Sequence, residues 1–181
     1  MILDVPVAFD AEGLLGTIRV WAPAVERVDL DVAGTRHAME RQPGGWWSAG
    51  VEAAAGTDYA FVLDGREPPL PDPRSAWQPR GVHGPSRVVD HSAFAWTDRG
   101  WTAPPLATGV VYELHLGTFS PEGTCDGAIA RLDHLVGLGV THVEVMPVAE
   151  FPGRHGWGYD GVALFAPKHA YGGPEGLKRP R

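Results

Sequence analysis

A chain of 181 residues suits one or two domains, and 44% hydrophobic residues with seven Trp provide for a real core. Only 20% of residues are charged and the formal net charge is −7, which excludes the basic footprint needed for nucleic acid or an anionic membrane and suits a neutral polar ligand. Gly (24) and Pro (17) are abundant, so turns and loops are expected in place of long helices.

In chain order, Met1–Gly13 carries acids and no basic leader region, and no apolar run reaches the length of a signal peptide or a membrane span. Cys125 is the single cysteine, so no internal disulfide can form. A cytoplasmic protein is expected. Residues 1–66 are expected to form one domain, a small immunoglobulin-like β-sandwich. Its strands are Leu15–Trp21, Arg27–Val32, Trp46–Val51 and Tyr59–Leu63, punctuated by Ala22-Pro23, Gly44-Gly45 and Asp64-Gly65. In Arg27–Val32 the alternation puts Val28, Leu30 and Val32 on one face and Arg27, Asp29 and Asp31 on the other, the pattern of a half-buried antiparallel strand.

Residues 67–109 read as a connector. Pro68, Pro69, Pro71, Pro73, Pro79, Pro85, Pro104 and Pro105 forbid a central strand or a long helix. Trp77, Phe94, Trp96 and Trp101 are larger than a flexible linker carries, so an ordered arm packed on both neighbours is expected. In 110–181, Val110–Leu116 is strand-like. A helix is expected over 124–138, with Thr124 as N-cap, Gly139 as stop and Ile129, Leu132, Leu135 and Val136 on one face. Thr141–Met146 is a second strand, giving a βαβ unit with parallel strands. Pro174–Lys178 begins another helix.

Three stretches carry a resemblance. They are PDPRSAWQPRGVHGPS (Pro71–Ser86), VYELHLGTFSPEGT (Val111–Thr124) and GVTHVEVMPVAEFPGRHGWGYDGVALFAPKHAYGGPEGLKR (Gly139–Arg179). Together they resemble the maltooligosyltrehalose trehalohydrolases of the alpha-amylase superfamily. The opening VWAPAVERVDL (Val20–Leu30) is similar to the N-terminal sandwich that these share with glycogen branching and debranching enzymes. The connector favours the trehalose-releasing family. The resemblance implies a retaining glycosidase built on a (β/α)8 TIM barrel, needing a carboxylate nucleophile and a carboxylic acid about 5 Å apart. Its substrate would be maltooligosyl trehalose or a related α-glucan, with no cofactor and no metal.

The 110–181 stretch is far shorter than the ~250 residues of a complete barrel. It is therefore expected to hold the truncated start of one, about two strands of eight. The family's catalytic Asp, Glu and second Asp follow the fourth, fifth and seventh barrel strands, so no catalytic residue is expected in this chain. Pro180-Arg181 breaks the final helix where the family continues it, which suggests a frameshift, a premature stop or a clipped gene model.

Trp157, Tyr159 and Asp160 are the substrate-binding candidates. An aromatic ring on a loop after a barrel strand can stack on the apolar face of a glucose unit, and barrel sites lie at that end of the strands. By resemblance Tyr159 is the platform at the cleavage subsite and Asp160 holds the loop or the sugar. His115 follows the first barrel strand at the same end. Glu113 and His115, with His142 and Glu144, are expected to gather as a structural cluster in the barrel wall. Of Trp46 and Trp47 at least one belongs to the core. Cys125 is incidental, although the start of a helix can lower a thiol pKa. Gly172-Gly173 lacks the context of a dinucleotide site. Two other readings are a fragment of a glycogen branching or debranching enzyme, and a non-catalytic glucan-binding module. The extra βαβ piece, with its open edges, argues against the module.

Overall fold

Alternating apolar and polar side chains assemble two antiparallel sheets that share one core. The computed structural model describes residues 14–179, so the acidic Met1–Gly13 and the helix-breaking Pro180-Arg181 lie outside the described residues. The first six strands are β1 (Leu14–Trp21), β2 (Val28–Val32), β3 (Thr35–Ala38), β4 (Glu40–Gln42), β5 (Trp46–Ala54) and β6 (Asp58–Leu63). A short β7 (Ser86–Arg87) follows from the connector. One sheet runs β1-β5-β4 and the other β3-β2-β6-β7. In β5, Trp47, Ala49, Val51 and Ala53 are buried and their neighbours are not, a clean period of two. These side chains meet Ile18 and Val20 of β1, Leu30 of β2 and Phe61 of β6 in a single cluster.

The four expected strands are present. β3, β4 and β7 were not expected, because TRHA and ERQ are polar edge strands without periodicity and β7 has two residues. Val28, Leu30 and Val32 point inward as the alternation predicts. Asp29, expected on the solvent face, is buried too. Arg27 pairs with it at 2.9 Å, and β3 and β6 flank it on either side. At the end of β6, Asp64 and Gly65 both take positive φ (51° and 69°). The Asp64 carboxylate accepts the backbone N–H groups of Glu26 and Arg27 at 2.9 and 3.0 Å.

The connector is anchored on the second sheet. Phe61 and Leu70 exchange backbone bonds, β7 pairs with β6, and the Tyr59 hydroxyl donates to Asp72 Oδ2 at 2.8 Å. It also meets the C-terminal part: the Arg74 guanidinium lies 5.9 Å from the Phe165 ring centre, and Lys178 Nζ lies 5.5 Å from that of Phe94. Trp96 and Trp101 remain exposed.

The strand expected to reach Leu116 stops earlier: β8 is Val111–Leu114, and Leu116 opens a one-turn helix α1 (Leu116–Phe119). The single helix expected over 124–138 is two, α2 (Cys125–Ile129) and α3 (Leu132–Gly137), parted where Arg131 leaves helical geometry (φ −112°, ψ 2°). The break turns the buried stripe. Cys125, Ala128 and Leu135 are inside, while Val136, expected on the apolar face, is exposed. Thr124 does cap α2, its hydroxyl accepting from Gly127 N at 3.1 Å. β9 (His142–Val145) pairs with β8 in parallel, as strand–helix–strand order requires. A two-stranded antiparallel pair that was not expected, β10 (Ala149–Glu150) with β11 (Ala163–Pro167), follows, and then α4 (Gly173–Lys178). The described residues are mostly β with a few short helices, and they contain no complete barrel. None of their helices is long and apolar enough to cross a membrane.

Candidate functional site

The loop between β10 and β11 carries three of the four candidate residues. Its course depends on two glycines. Gly158 has φ +91°, and a Cβ there would sit 2.0 Å from Pro147 O; a Cβ on Gly156 would sit 2.8 Å from the Phe151 ring. The chain can therefore hug β10 while Trp157 and Tyr159 turn outward, 71% and 70% exposed. Asp160 is exposed beside them.

His115, just past β8, meets this loop. Its Nε2 lies 2.8 Å from Gly156 O and 3.2 Å from Tyr171 Oη, and its Nδ1 lies 3.2 Å from Thr118 Oγ1. A carbonyl only accepts, so Nε2 carries the proton donated to Gly156, and Nδ1 is left to accept from Thr118. The Trp157 ring centre is 6.0 Å from that of His115. The structure thus brings His115 and Trp157 together and sets Tyr159 and Asp160 on the same loop. Burial, and secondarily the charge of Glu150, push the Tyr171 hydroxyl above its ordinary pKa, so it stays a neutral partner to the imidazole.

The base of the loop is held by residues the sequence reading did not single out. Glu150 at the end of β10 and Lys168 just after β11 are both fully buried and lie 2.8 Å apart. The available signal was a charged residue in or at the end of an otherwise apolar string, VMPVAEF and LFAPK.

The expected cluster of Glu113, His115, His142 and Glu144 does not form. The register sets Val111 beside His142 and Glu113 beside Glu144, and both glutamates are exposed. His142 instead bonds Thr141 Oγ1 at 2.8 Å and Pro104 O at 3.2 Å. Trp47 is core, its Nε1 donating to Ala22 O at 2.9 Å, and Trp46 lies half-buried under the Arg19 guanidinium. Burial pushes the Cys125 thiol up in pKa, with the Asp126 charge adding to it. Among the described residues no three metal-ligating side chains converge. The site therefore offers two exposed aromatic faces and a carboxylate, a surface suited to stacking on a flat apolar ring face and hydrogen bonding its rim.

No family model matches the chain. It is 48% identical over 171 residues to malto-oligosyltrehalose trehalohydrolase of Rhizobium sp. (strain M-11), covering 91% of this chain and 29% of that protein. It is 32% identical over 161 residues to the 1,4-alpha-glucan branching enzyme of Aliivibrio fischeri, covering 80% of this chain and 22% of that enzyme. A crystal structure from Salmonella typhimurium, solved under the name of an alpha amylase, superposes with a TM-score of 0.86 at 46% identity, over 89% of this chain and 28% of that one. The chain thus spans less than a third of the length of the relatives it matches.

Proposed function

We propose that this chain, which is related in sequence to the malto-oligosyltrehalose trehalohydrolases and corresponds to an N-terminal portion of them, serves an enzyme that hydrolyses the α-1,4 bond next to the terminal trehalose of maltooligosyl trehalose. The relatives are glycoside hydrolases of the alpha-amylase family. The observation that carries the reading is 48% identity to a trehalohydrolase over 91% of this chain, against 32% to a branching enzyme over 80% of it. In this reading Tyr159 stacks on the glucose unit at the cleavage subsite, Trp157 extends the platform, Asp160 bonds a sugar hydroxyl or steadies the loop, and His115 seats the loop at its centre. None of the four is a nucleophile or a proton donor to the scissile bond.

The same reading divides the chain into a sandwich of immunoglobulin type (1–66), a connector (67–109) and the opening of a (β/α)8 barrel (110–181). Two facing antiparallel sheets with one core support the first part, and the parallel β8–β9 pair supports the last. The cytoplasm is the proposed compartment.

The purified chain, titrated with maltotetraose and with maltotriosyl trehalose, should bind both and lose binding in Tyr159→Ala. It should release no trehalose above a buffer control. Absence of binding, or binding untouched by Tyr159→Ala, would overturn the site; trehalose release abolished by Tyr159→Ala would overturn the non-catalytic role.

A further inference from the structure

Glu150 and Lys168 are fully buried, and their bonds reach beyond each other. Lys168 Nζ lies 2.8 Å from Glu150 Oε1, 2.8 Å from Phe151 O and 2.7 Å from Gly153 O. Three ammonium protons thus have three acceptors. The same nitrogen sits 4.1 Å from the centre of the Phe151 ring. The second carboxylate oxygen of Glu150 accepts from His169 N at 2.7 Å and lies 2.8 Å from His169 Nδ1. The network therefore ties the end of β10, the first residues of the aromatic loop and the residues after β11 to one buried point.

A buried ion pair is not stabilising merely because it is buried. Well-packed apolar residues of similar volume often serve as well, since both charges must first leave water. Apolar residues would not, however, hold the carbonyls of Phe151 and Gly153. Those carbonyls open the loop that carries Trp157, Tyr159 and Asp160. The far side of the same loop is held at Gly156 O by His115 and at Gly158 by close approach to Pro147. Lys168 grips the near side.

We propose that Lys168 and Glu150 are positioning residues for saccharide recognition: they fix where the aromatic loop leaves β10 and so hold the Trp157 and Tyr159 faces where an α-glucan can stack on them. The proposal rests on the reading of this loop as the saccharide site.

The test separates the grip from the fold. Lys168→Met alone leaves Glu150 a buried charge short of its cation and can unfold the C-terminal part. The double variant Glu150→Leu/Lys168→Met removes both charges together. It leaves the Phe151 and Gly153 carbonyls and the His169 amide without these partners, so it is expected to melt cooperatively at a somewhat lower temperature than the unaltered chain. In that double variant, backbone order parameters for residues 154–161 should fall from about 0.85 to below about 0.6. Affinity for maltotetraose should weaken about tenfold, as for a loop that holds its binding conformation a tenth of the time. A double variant that keeps both native order in the loop and native affinity would overturn the proposal. Should the unaltered chain bind no maltotetraose, the saccharide reading fails and the recognition role with it, while the order parameters still decide whether Lys168 and Glu150 hold the loop.

Discussion

Tyr59 and Asp72 show how much a single buried contact sets. Both are buried, and the Tyr59 hydroxyl donates to Asp72 Oδ2 at 2.8 Å. Burial, helped by the Asp72 charge, pushes the Tyr59 hydroxyl well above its ordinary pKa; burial likewise raises the Asp72 carboxyl. The signs follow from proton counts. Unfolded tyrosine releases its proton near pH 10 while folded Tyr59 keeps it, so stability falls as pH rises through 10. Asp72 likewise binds its proton more tightly when folded, and its contribution declines as pH rises from about 4 through its folded value. Tyr59→Phe should cost about 1–3 kcal/mol at pH 7, because the buried Asp72 side chain loses its hydroxyl partner, yet it should flatten the decline above pH 10. Urea unfolding of both proteins from pH 7 to 11 reads this out; parallel pH curves would contradict it. None of this was legible in the sequence, because Tyr59 reads as one more strand residue and Asp72 as one more connector acid until β6 and the connector meet.

The elements were legible where periodicity or capping chemistry is strong. Alternation identified β2, and Thr124 and Gly139 marked a helical stretch at both ends. Gly139 (φ +80°) closes α3 with two backbone bonds, Gly139 N to Val136 O at 2.9 Å and Val140 N to Leu135 O at 3.1 Å, a Schellman closure. Gly139→Ala keeps the bonds possible but forces an L-residue into left-handed geometry, and should cost about 1–2 kcal/mol. A chemical denaturation midpoint unchanged by Gly139→Ala would show that the turn is not under this constraint. The helix break at Arg131 was not legible. Ile129, Leu132, Leu135 and Val136 keep a helical spacing in sequence, but the packing of Ala128 and Leu135 against Phe151 and Tyr171 selects a different stripe. The β10–β11 pair was missed for a related reason, since Ala149–Glu150 is too short to show any period.

Across the whole molecule, the connector couples the two-sheet core to the C-terminal part, and the tightest of the contacts described lies at Gly173. Gly173 has φ +59°, and a Cβ there would lie 1.8 Å from Trp77 Cζ3, so the indole packs directly on the backbone of α4. On the other side of the connector, Ser86 Oγ accepts Asp72 N at 2.9 Å, next to the Tyr59 contact. Gly173→Ala should push Trp77 off α4 and detach the C-terminal part. Limited proteolysis within 89–109 should quicken severalfold while the Tyr59-linked sheet keeps its hydrogen-exchange protection. Loss of protection throughout would mean that the chain unfolds as one unit.

The sequence by itself determined that the described residues are mostly β with short helices, and the family to which its motifs point. Those rest on local facts: side-chain alternation, capping residues, prolines that forbid regular structure, and the short strings that carry the resemblance. It also marked the aromatic loop, because Trp157 and Tyr159 sit among glycines. Only the tertiary structure decided that His115 donates to this loop, that Glu113 and Glu144 face each other without forming a cluster, and that Glu150 and Lys168 bury their charges at the loop's base. Those outcomes depend on strand register and on which distant groups share a dry space. A buried charge is tolerated only where folding delivers its partner, and no local pattern records that meeting.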